Sequence, residues 1–345
     1  MDTVSIKAET PSVCVIILSY GSRTEQLRKV LEAVLKQKAS HVIIVANDVI
    51  SPTLKMLDDY KRNFPMSIEI IVSKKNLGSA GGYAKGLSSA IKRPFEYIWL
   101  LDDDNFPEDN ALTNLFGAFS IYQKRINRSK IALQSLRQSL PEMIEIFNKG
   151  YHSLSPRPAS FIGFHVLNIF NNLLSFIFKN SLNAVSKNEK APISLRSAPY
   201  GGFFFHRDAF HNLGFPNPDF FLYADDLAYT LNFTSRGGHI FLVPESRIID
   251  IDPVWNATGG ETSNFYKRLK ILSSKQVYYE VRNRIYIGRK YFPGNRILYF
   301  LNKFIYLTIL GLAAIYYRRC GRYKLIYRAA REGESGRLGE RDLEI

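Results

Sequence analysis

The chain has 345 residues, with 46 Lys+Arg against 31 Asp+Glu for a formal net charge of +15; 46% of residues are hydrophobic and 22% charged. That apolar share excludes a disordered or low-complexity chain, and the length predicts two domains, or one enzyme-sized domain with an appendage. Only two cysteines occur, Cys14 and Cys320, with no C-x-x-C pair, which excludes a disulfide framework and a structural zinc site.

The first eleven residues are polar and carry Asp2 and Glu9, unlike a secretory leader, which predicts a place in the cytosol or on the cytoplasmic face of a membrane. Residues 12–19 are a β-branched run and read as a buried strand. Leu27, Val30, Leu31 and Val34 recur at helical spacing over 24–36. Strands follow at 41–46 and 68–73, separated by a helix at 54–64. A small-residue helix at 79–91 precedes a fourth strand at 97–101. Four strands with three intervening helices predict a parallel, three-layer α/β sheet, whose ligands sit beyond the carboxyl ends of its strands.

Residues 112–190 carry weaker signals. The segment 161–178 has a helical beat through Ile162, Val166, Phe170, Leu173 and Ile177, and reads either as a core helix or as a second membrane-touching helix. Residues 187–197 read as a mobile loop, 199–205 as a strand, 208–213 as a short helix, 227–235 as a helix ending at Gly237-Gly238, and 240–243 as a strand. From Tyr266 onward Lys and Arg dominate. Val277, Val281, Ile285, Gly288 and Phe292 keep helical spacing while Arg282 and Arg289 fall on another face, which predicts a basic amphipathic helix. An apolar stretch at 297–317 follows, interrupted by Asn302 and Lys303. Its unbroken part, 304–317, is shorter than the roughly 20 residues a spanning helix needs. The tail therefore reads as an interfacial anchor on an anionic membrane surface. A tilted span with Lys303 snorkelling and a helix packed on the protein's own core are the alternatives.

Three segments carry chemistry. Asp102-Asp103-Asp104-Asn105 follows the fourth strand directly. Adjacent carboxylates repel unless a cation neutralises them, and such oxygen ligands suit Mg²⁺ or Mn²⁺. The alternative is a solvated acidic turn. Asn76-Leu77-Gly78-Ser79-Ala80-Gly81-Gly82 places small residues at a strand-to-helix junction, where a backbone can approach a bulky ligand. It is neither a Walker A loop nor a dinucleotide fingerprint. Asp225-Asp226, after the aromatic run at 220–223, can supply a general base or cap the helix that follows.

Together, VIILSYGSR at 15–23, NLGSAGGYAKG at 76–86, WLLDDDN at 99–105 and FFLYADD at 220–226 resemble a family 2 glycosyltransferase with the GT-A fold. The resemblance covers about residues 13–252 and is nearest to galactofuranosyltransferase-like and rhamnosyltransferase-like members. Tyr278-Tyr279-x-x-Arg282-Asn283 also looks like members that end in membrane-associated helices.

The resemblance implies a catalytic domain over 1–265, with a nucleotide-sugar-binding half (1–111) and an acceptor half (112–265) containing a helical insertion at 120–195. A basic, membrane-associating helical region follows at 266–345. It implies that Ser19, Tyr20, Arg23, Asn47, Asp48, Asn76, Gly78, Ala80, Gly81 and Gly82 line the donor site. Asn47 or Asp48 serves where the family usually has Asp-Asn. Asp102 and Asp104 would hold Mn²⁺ or Mg²⁺, with Asp250, or alternatively His239, in place of the family's histidine ligand. Asp103 would face the donor, Asp226 would be the catalytic base, and Asp225 would bind acceptor hydroxyls.

The implied activity is inverting transfer from UDP-galactofuranose, or another UDP- or dTDP-sugar, to a hydroxyl of a lipid-linked or polysaccharide acceptor. That activity would belong to cell-surface glycan synthesis at the cytoplasmic face of the membrane. Oligomeric state is open. The first loop has a single glycine, unlike a sugar-nucleotide pyrophosphorylase. The acidic segments argue against a nucleic-acid binder. A degenerate, scaffold-like glycosyltransferase is the remaining competitor, because Ala46, Ala228 and the missing histidine depart from the pattern.

Overall fold

A computed structural model describes residues 11–149, 156–168, 192–252 and 267–343. The expectations for the first ten residues, for 169–178 and for 187–191 lie outside the described residues.

Strand β1 (Val13–Gly21) explains the layering. Val13, Val15 and Ile17 enter one apolar layer, while Cys14, Ile16 and Leu18 enter the other, as alternation along a strand requires. A strand buried on both faces needs helices on both. Helices α1 (Thr24–Lys36) and α2 (Ser51–Asn63) cover the first face through Leu27, Val30, Leu31, Met56 and Leu57. Helix α3 (Gly78–Ala90) covers the second through Tyr83 and Leu87. Strands β2 (His41–Val49), β3 (Ile68–Ser73) and β4 (Tyr97–Asp102) run parallel with β1, as expected.

Beyond β4 the sheet is mixed. The added elements are β5 (Asn105–Pro107), α4 (Ala111–Tyr122), β6 (Ile131–Arg137), α5 (Pro141–Lys149), β7 (Ser194–Leu195), β8 (Phe203–His206), α6 (Phe210–Leu213), α7 (Asp225–Ser235) and β9 (His239–Asp250). The strand order is β3-β2-β1-β4-β8-β6-β9-β5, with β7 on β9. Strand β8 runs antiparallel to both β4 and β6, and β5 runs antiparallel to β9. The chain is thus mixed α/β with a central sheet. The all-parallel expectation holds only for its first four strands. Strand β6 lies in the stretch whose sequence signals were weak. The strand expected at 199–205 forms only from Phe203 onward. Asp225 and Asp226 open α7 as its first two residues, and the N-cap is Ala224, not either aspartate.

Three further helices close the chain: α8 (Ser274–Tyr291), α9 (Arg296–Tyr316) and α10 (Cys320–Glu334). Helix α8 starts with a capping box in which the Ser273 and Gln276 side chains bond each other's backbone N–H. The expected basic face is corrected in one respect: Arg282 is fully buried, together with Asn283. Ile287 and Phe292 pack with Ala228 and Leu231 of α7, which attaches the helices to the sheet domain.

The two interruptions in the apolar stretch are structural. Asn302 is fully buried, donating to Ala159 O at 2.9 Å and accepting from Val166 N at 2.9 Å. Lys303 is not free to snorkel, because it is held 2.8 Å from Glu334 on α10. Helix α9 is long and apolar enough to cross a membrane by length and composition. One face, with Tyr306, Leu310 and Ala314, packs against α8 and α10. The other exposes Ile297, Phe300, Phe304, Leu312, Ile315 and Tyr316.

Candidate active site

Strand register builds the site. In the parallel pair β1–β4, Leu18 lies opposite Asp102, so Ser19 sits beside the acidic turn. In the antiparallel pair β5–β9, Asn105 lies opposite Asp250. Both pairs end at the same edge, where five carboxylates meet two guanidiniums. Arg23 reaches Asp103 Oδ1 (2.7 Å), Asp104 Oδ2 (2.7 Å) and Asp252 Oδ2 (3.3 Å). Arg137 of β6 lies 2.7 Å from Asp250 Oδ1 and 3.9 Å from Asp102 Oδ2. Asp102, Asp103, Asp104 and Asp250 alone, when ionised, bring more negative charge than these two guanidiniums offset.

Burial and crowding register on these groups. Burial, then repulsion from Asp102, raises Asp104 to about 6. Burial raises Asp103 to about 7 against the pull of Arg23 and Ser19. Burial also raises Asp102, with Asp250 and Asp226 adding to the effect. Tyr83 of α3 donates to Asp102 Oδ1 and Leu101 O, both at 2.8 Å. Burial and Asp102 hold its phenol far above the ordinary value, so it stays a donor.

The expected metal ligands separate in this geometry. Asp102 keeps a side chain 37% exposed, and Asp104 borders it. Asp250 is turned elsewhere: Oδ1 accepts from Asn105 Nδ2 (2.8 Å) and Arg137, and Oδ2 accepts from Ser139. Asp104 is bonded at both oxygens too, by Arg23 at Oδ2 and by Asn105 Nδ2 at Oδ1 (3.1 Å); the Arg137 contact to Asp250 spans 113 residues and left no spacing signal. His239 does not replace Asp250. It begins the twelve-residue β9 whose last residue is Asp250, at the opposite end of the sheet. Among the described residues no group of three Asp, Glu, His or Cys is placed to hold a metal ion. Two carboxylates beside a negative surplus nevertheless suit Mg²⁺ or Mn²⁺, since such an ion is commonly held by one or two carboxylates plus substrate phosphates and water.

The donor-side residues fall into two groups. Tyr20 is 48% exposed at the end of β1, with the Arg23 guanidinium 5.8 Å from its ring centre. Asp48 is exposed at a bulge in β2, with φ +61°. The others are structural. Ser19 donates to Asp103 Oδ2 at 2.7 Å, and Asp103 is buried, so it faces Ser19 and Arg23, not an open cleft. Asn47 accepts from Leu77 N (2.9 Å) and donates to Asn76 Oδ1 and Gly78 O (both 3.2 Å), latching the glycine loop to β2. Asn76 Oδ1 also accepts from Gly78 N at 2.8 Å.

Gly78 is required by its φ of +69° and because a Cβ there would meet Phe221 O at 1.9 Å. Gly82 serves packing, since a Cβ there would meet Leu18 Cδ1 at 2.4 Å. Ala80 and Gly81 are likewise buried in α3, so these three positions support the helix and present no surface to a ligand. The loop meets the second acidic pair directly, through Ser79 Oγ to Asp225 Oδ2 at 2.7 Å. Asp225 is buried, and burial followed by Asp226 raises it to about 8. Asp226 is less buried; it accepts from Leu227 N at 2.8 Å, and burial raises it too. Arg137 was absent from the sequence reading, and Tyr83 and Asn105 entered it only as members of the 76–86 and DDDN runs, without roles of their own.

Residues 14–132 match the profile of glycosyl transferase family 2. This segment carries the donor-side residues and the DDDN turn; Asp225, Asp226 and Asp250 lie beyond it. Galactofuranosyltransferase GlfT1 of Mycolicibacterium smegmatis is 35% identical over 105 residues, which is 30% of this chain and 33% of the relative. GlfT1 of Mycobacterium tuberculosis is 31% identical over 104 residues, 29% of this chain and 33% of the relative. The matches span about a third of these relatives' length. Among solved structures, GalNAc-T7 with UDP, GalNAc and Mn²⁺ has a TM-score of 0.49 at 16% identity, covering 70% of this chain and 44% of that one. S. aureus TarS 1-349 has a TM-score of 0.47 at 12% identity, covering 94% and 92%.

The raised Asp225 makes stability depend on pH. The folded chain keeps its proton where the unfolded chain, with an ordinary carboxyl, has lost it. Stability therefore falls as pH rises from about 4 to about 8, by at most about 1.4 kcal/mol per unit for this one group. Urea unfolding at pH 5 and pH 8 should show a smaller loss for Asp225→Asn than for the parent chain; equal losses would contradict the assignment.

Proposed function

We propose that the chain is an inverting glycosyltransferase of GT-A type that moves a sugar from a nucleotide-sugar to a hydroxyl of a lipid-linked or glycan acceptor. One observation carries the reading. Helix α3 joins the acidic turn to the Asp225–Asp226 pair: Ser79 donates to Asp225 Oδ2 at 2.7 Å, and Tyr83, one turn further on, donates to Asp102 Oδ1 at 2.8 Å. The family 2 segment covers the donor half, and the galactofuranosyltransferase names of its relatives favour UDP-galactofuranose as donor.

Asp102 and Asp104 would hold the divalent ion, which supplies positive charge against the diphosphate leaving group. The chain's own residues do the rest. Arg23 and Arg137 hold the carboxylates in place. Tyr83 fixes the Asp102 oxygen that it bonds. Asp226, ionised, accepts the proton of the attacking hydroxyl, and Asp225 orients the acceptor. Attack from the side opposite the leaving diphosphate inverts the anomeric centre without a covalent enzyme intermediate.

The exposed face of α9 supports an acceptor at a membrane surface. Its exposed apolar face ends beside the exposed Arg318, Arg319 and Lys324, a pattern suited to an anionic bilayer surface. The enzyme would thus work as a membrane-associated protein on the cytoplasmic face, where a lipid-linked acceptor is reached.

Nucleotide release should be assayed with UDP-galactofuranose, UDP-galactopyranose, UDP-glucose and dTDP-rhamnose in the presence of Mn²⁺ and membrane acceptor. One donor should turn over. Asp104→Ala should reduce the rate by roughly 10²-fold or more, and Asp226→Asn should lower kcat by about 10²–10⁴-fold with donor affinity retained. Silence with every donor would overturn the reading in favour of a scaffold, and full activity of Asp226→Asn would overturn the role of Asp226 as the base. For the membrane, the chain should float with vesicles containing anionic phospholipid, and Phe300→Asp/Phe304→Asp should abolish flotation. Equal flotation of parent and variant would remove the anchor.

A further inference from the structure

The turn that delivers Asp225 and Asp226 is strained. Phe221 has φ +62° and ψ −66°, and Leu222 N bonds Phe220 O at 2.8 Å across it, the geometry of the rare γ-turn. Tyr223 and Ala224 follow at φ +63° and +58°. Three non-glycine residues in this region persist only where the surroundings over-determine them. The surroundings here come from α8. Arg282 Nη2 donates to Asp219 O (3.3 Å) and Phe220 O (3.0 Å), while Nη1 donates to Gly339 O. Its Nε donates to Asn283 Oδ1 at 2.9 Å, and the guanidinium lies over the Tyr279 ring at 4.8 Å. Asn283 Nδ2 reaches Phe220 O (3.0 Å), Leu222 O (2.9 Å) and Tyr223 O (2.8 Å). Both side chains are fully buried, and among the described residues no carboxylate pairs with Arg282. A buried cation held by backbone carbonyls and an aromatic face is costly to keep. Its contacts converge on one turn and on the C-terminal Gly339.

We propose that Arg282 and Asn283 are positioning residues, which hold the Phe221–Ala224 turn in its strained form and so place Asp225 and Asp226 against the acceptor hydroxyl. The kinetic part rests on the transferase reading; the conformational part does not. The C-terminal helices thereby become part of the catalytic half, since the carbonyls of the turn have their side-chain partners on α8.

The test uses the full chain with Asn283→Ala, Arg282→Lys and the double variant Asn283→Ala/Ala224→Gly. In Asn283→Ala, amide hydrogen exchange over 219–227 should quicken by about tenfold or more while β1 and β4 keep their protection. On the active enzyme, kcat should fall by about tenfold or more with KM for the donor within about twofold. Arg282→Lys should show the same local pattern. Glycine at 224 holds a positive φ without help from its surroundings. The double variant should therefore recover part of both the protection and kcat. Unchanged exchange over 219–227 would overturn the proposal. So would faster exchange across the whole sheet with no recovery from Ala224→Gly, the pattern of a merely structural residue. If the parent chain turns over no donor, the transferase reading falls, and the exchange data with the glycine rescue still decide the role of Asn283.

Discussion

Asp102, Asp103, Asp104, Asp250 and Asp252 are drawn to one sheet edge, where Arg23 and Arg137 pair among them. Burial and the neighbouring carboxylates raise Asp103 and Asp104 together, because crowded like charges repel. The arrangement is therefore held by the sheet against its own repulsion. Arg23 emerges just beyond β1, and Arg137 ends β6, so each guanidinium is fixed by backbone on a different strand. Their placement leaves Asp102 the most open carboxylate of the turn. The remaining negative surplus is what a divalent ion and a diphosphate can settle together.

The second constraint is backbone proximity. Phe221 O lies where a Cβ of residue 78 would stand, so the glycine loop and the turn before α7 are interlocked. Ser79 to Asp225 closes the same contact through side chains. From the other side Arg282 and Asn283 bind the turn's carbonyls. Donor loop, acidic pair and C-terminal helices thus share one mechanical unit, with the exposed face of α9 at its outer surface.

What the sequence made legible were features written locally. The buried runs of β1 and β2 alternate or saturate with branched residues. DDDN follows its strand without a gap, and Asp225-Asp226 sits at a helix start. What it concealed were partnerships at long range. Tyr83 and Asp102 are 19 residues apart, Ser79 and Asp225 are 146 apart, and Arg137 and Asp250 are 113 apart. None leaves a spacing. Arg282 misled for a physical reason. Heptad position sets which face of a helix a residue occupies, but not whether that face meets water or the carbonyls of another turn. Asn302 was read as a blemish in an apolar run, yet it is a buried hydrogen-bonding post for Ala159 and Val166. Strand β6 was missed because Gln134, Ser135 and Arg137 dilute its apolar signal, although Gln134 and Ser135 are buried and Arg137 reaches the site.

The central claim is that the acidic edge binds a nucleoside diphosphate through a divalent ion. Calorimetric titration of the full chain with UDP, once with Mn²⁺ and once with EDTA, tests it most directly. The account predicts an affinity at least about tenfold higher with Mn²⁺, corresponding to about 1.4 kcal/mol. Equal affinity in the two solutions, or no binding in either, would contradict it.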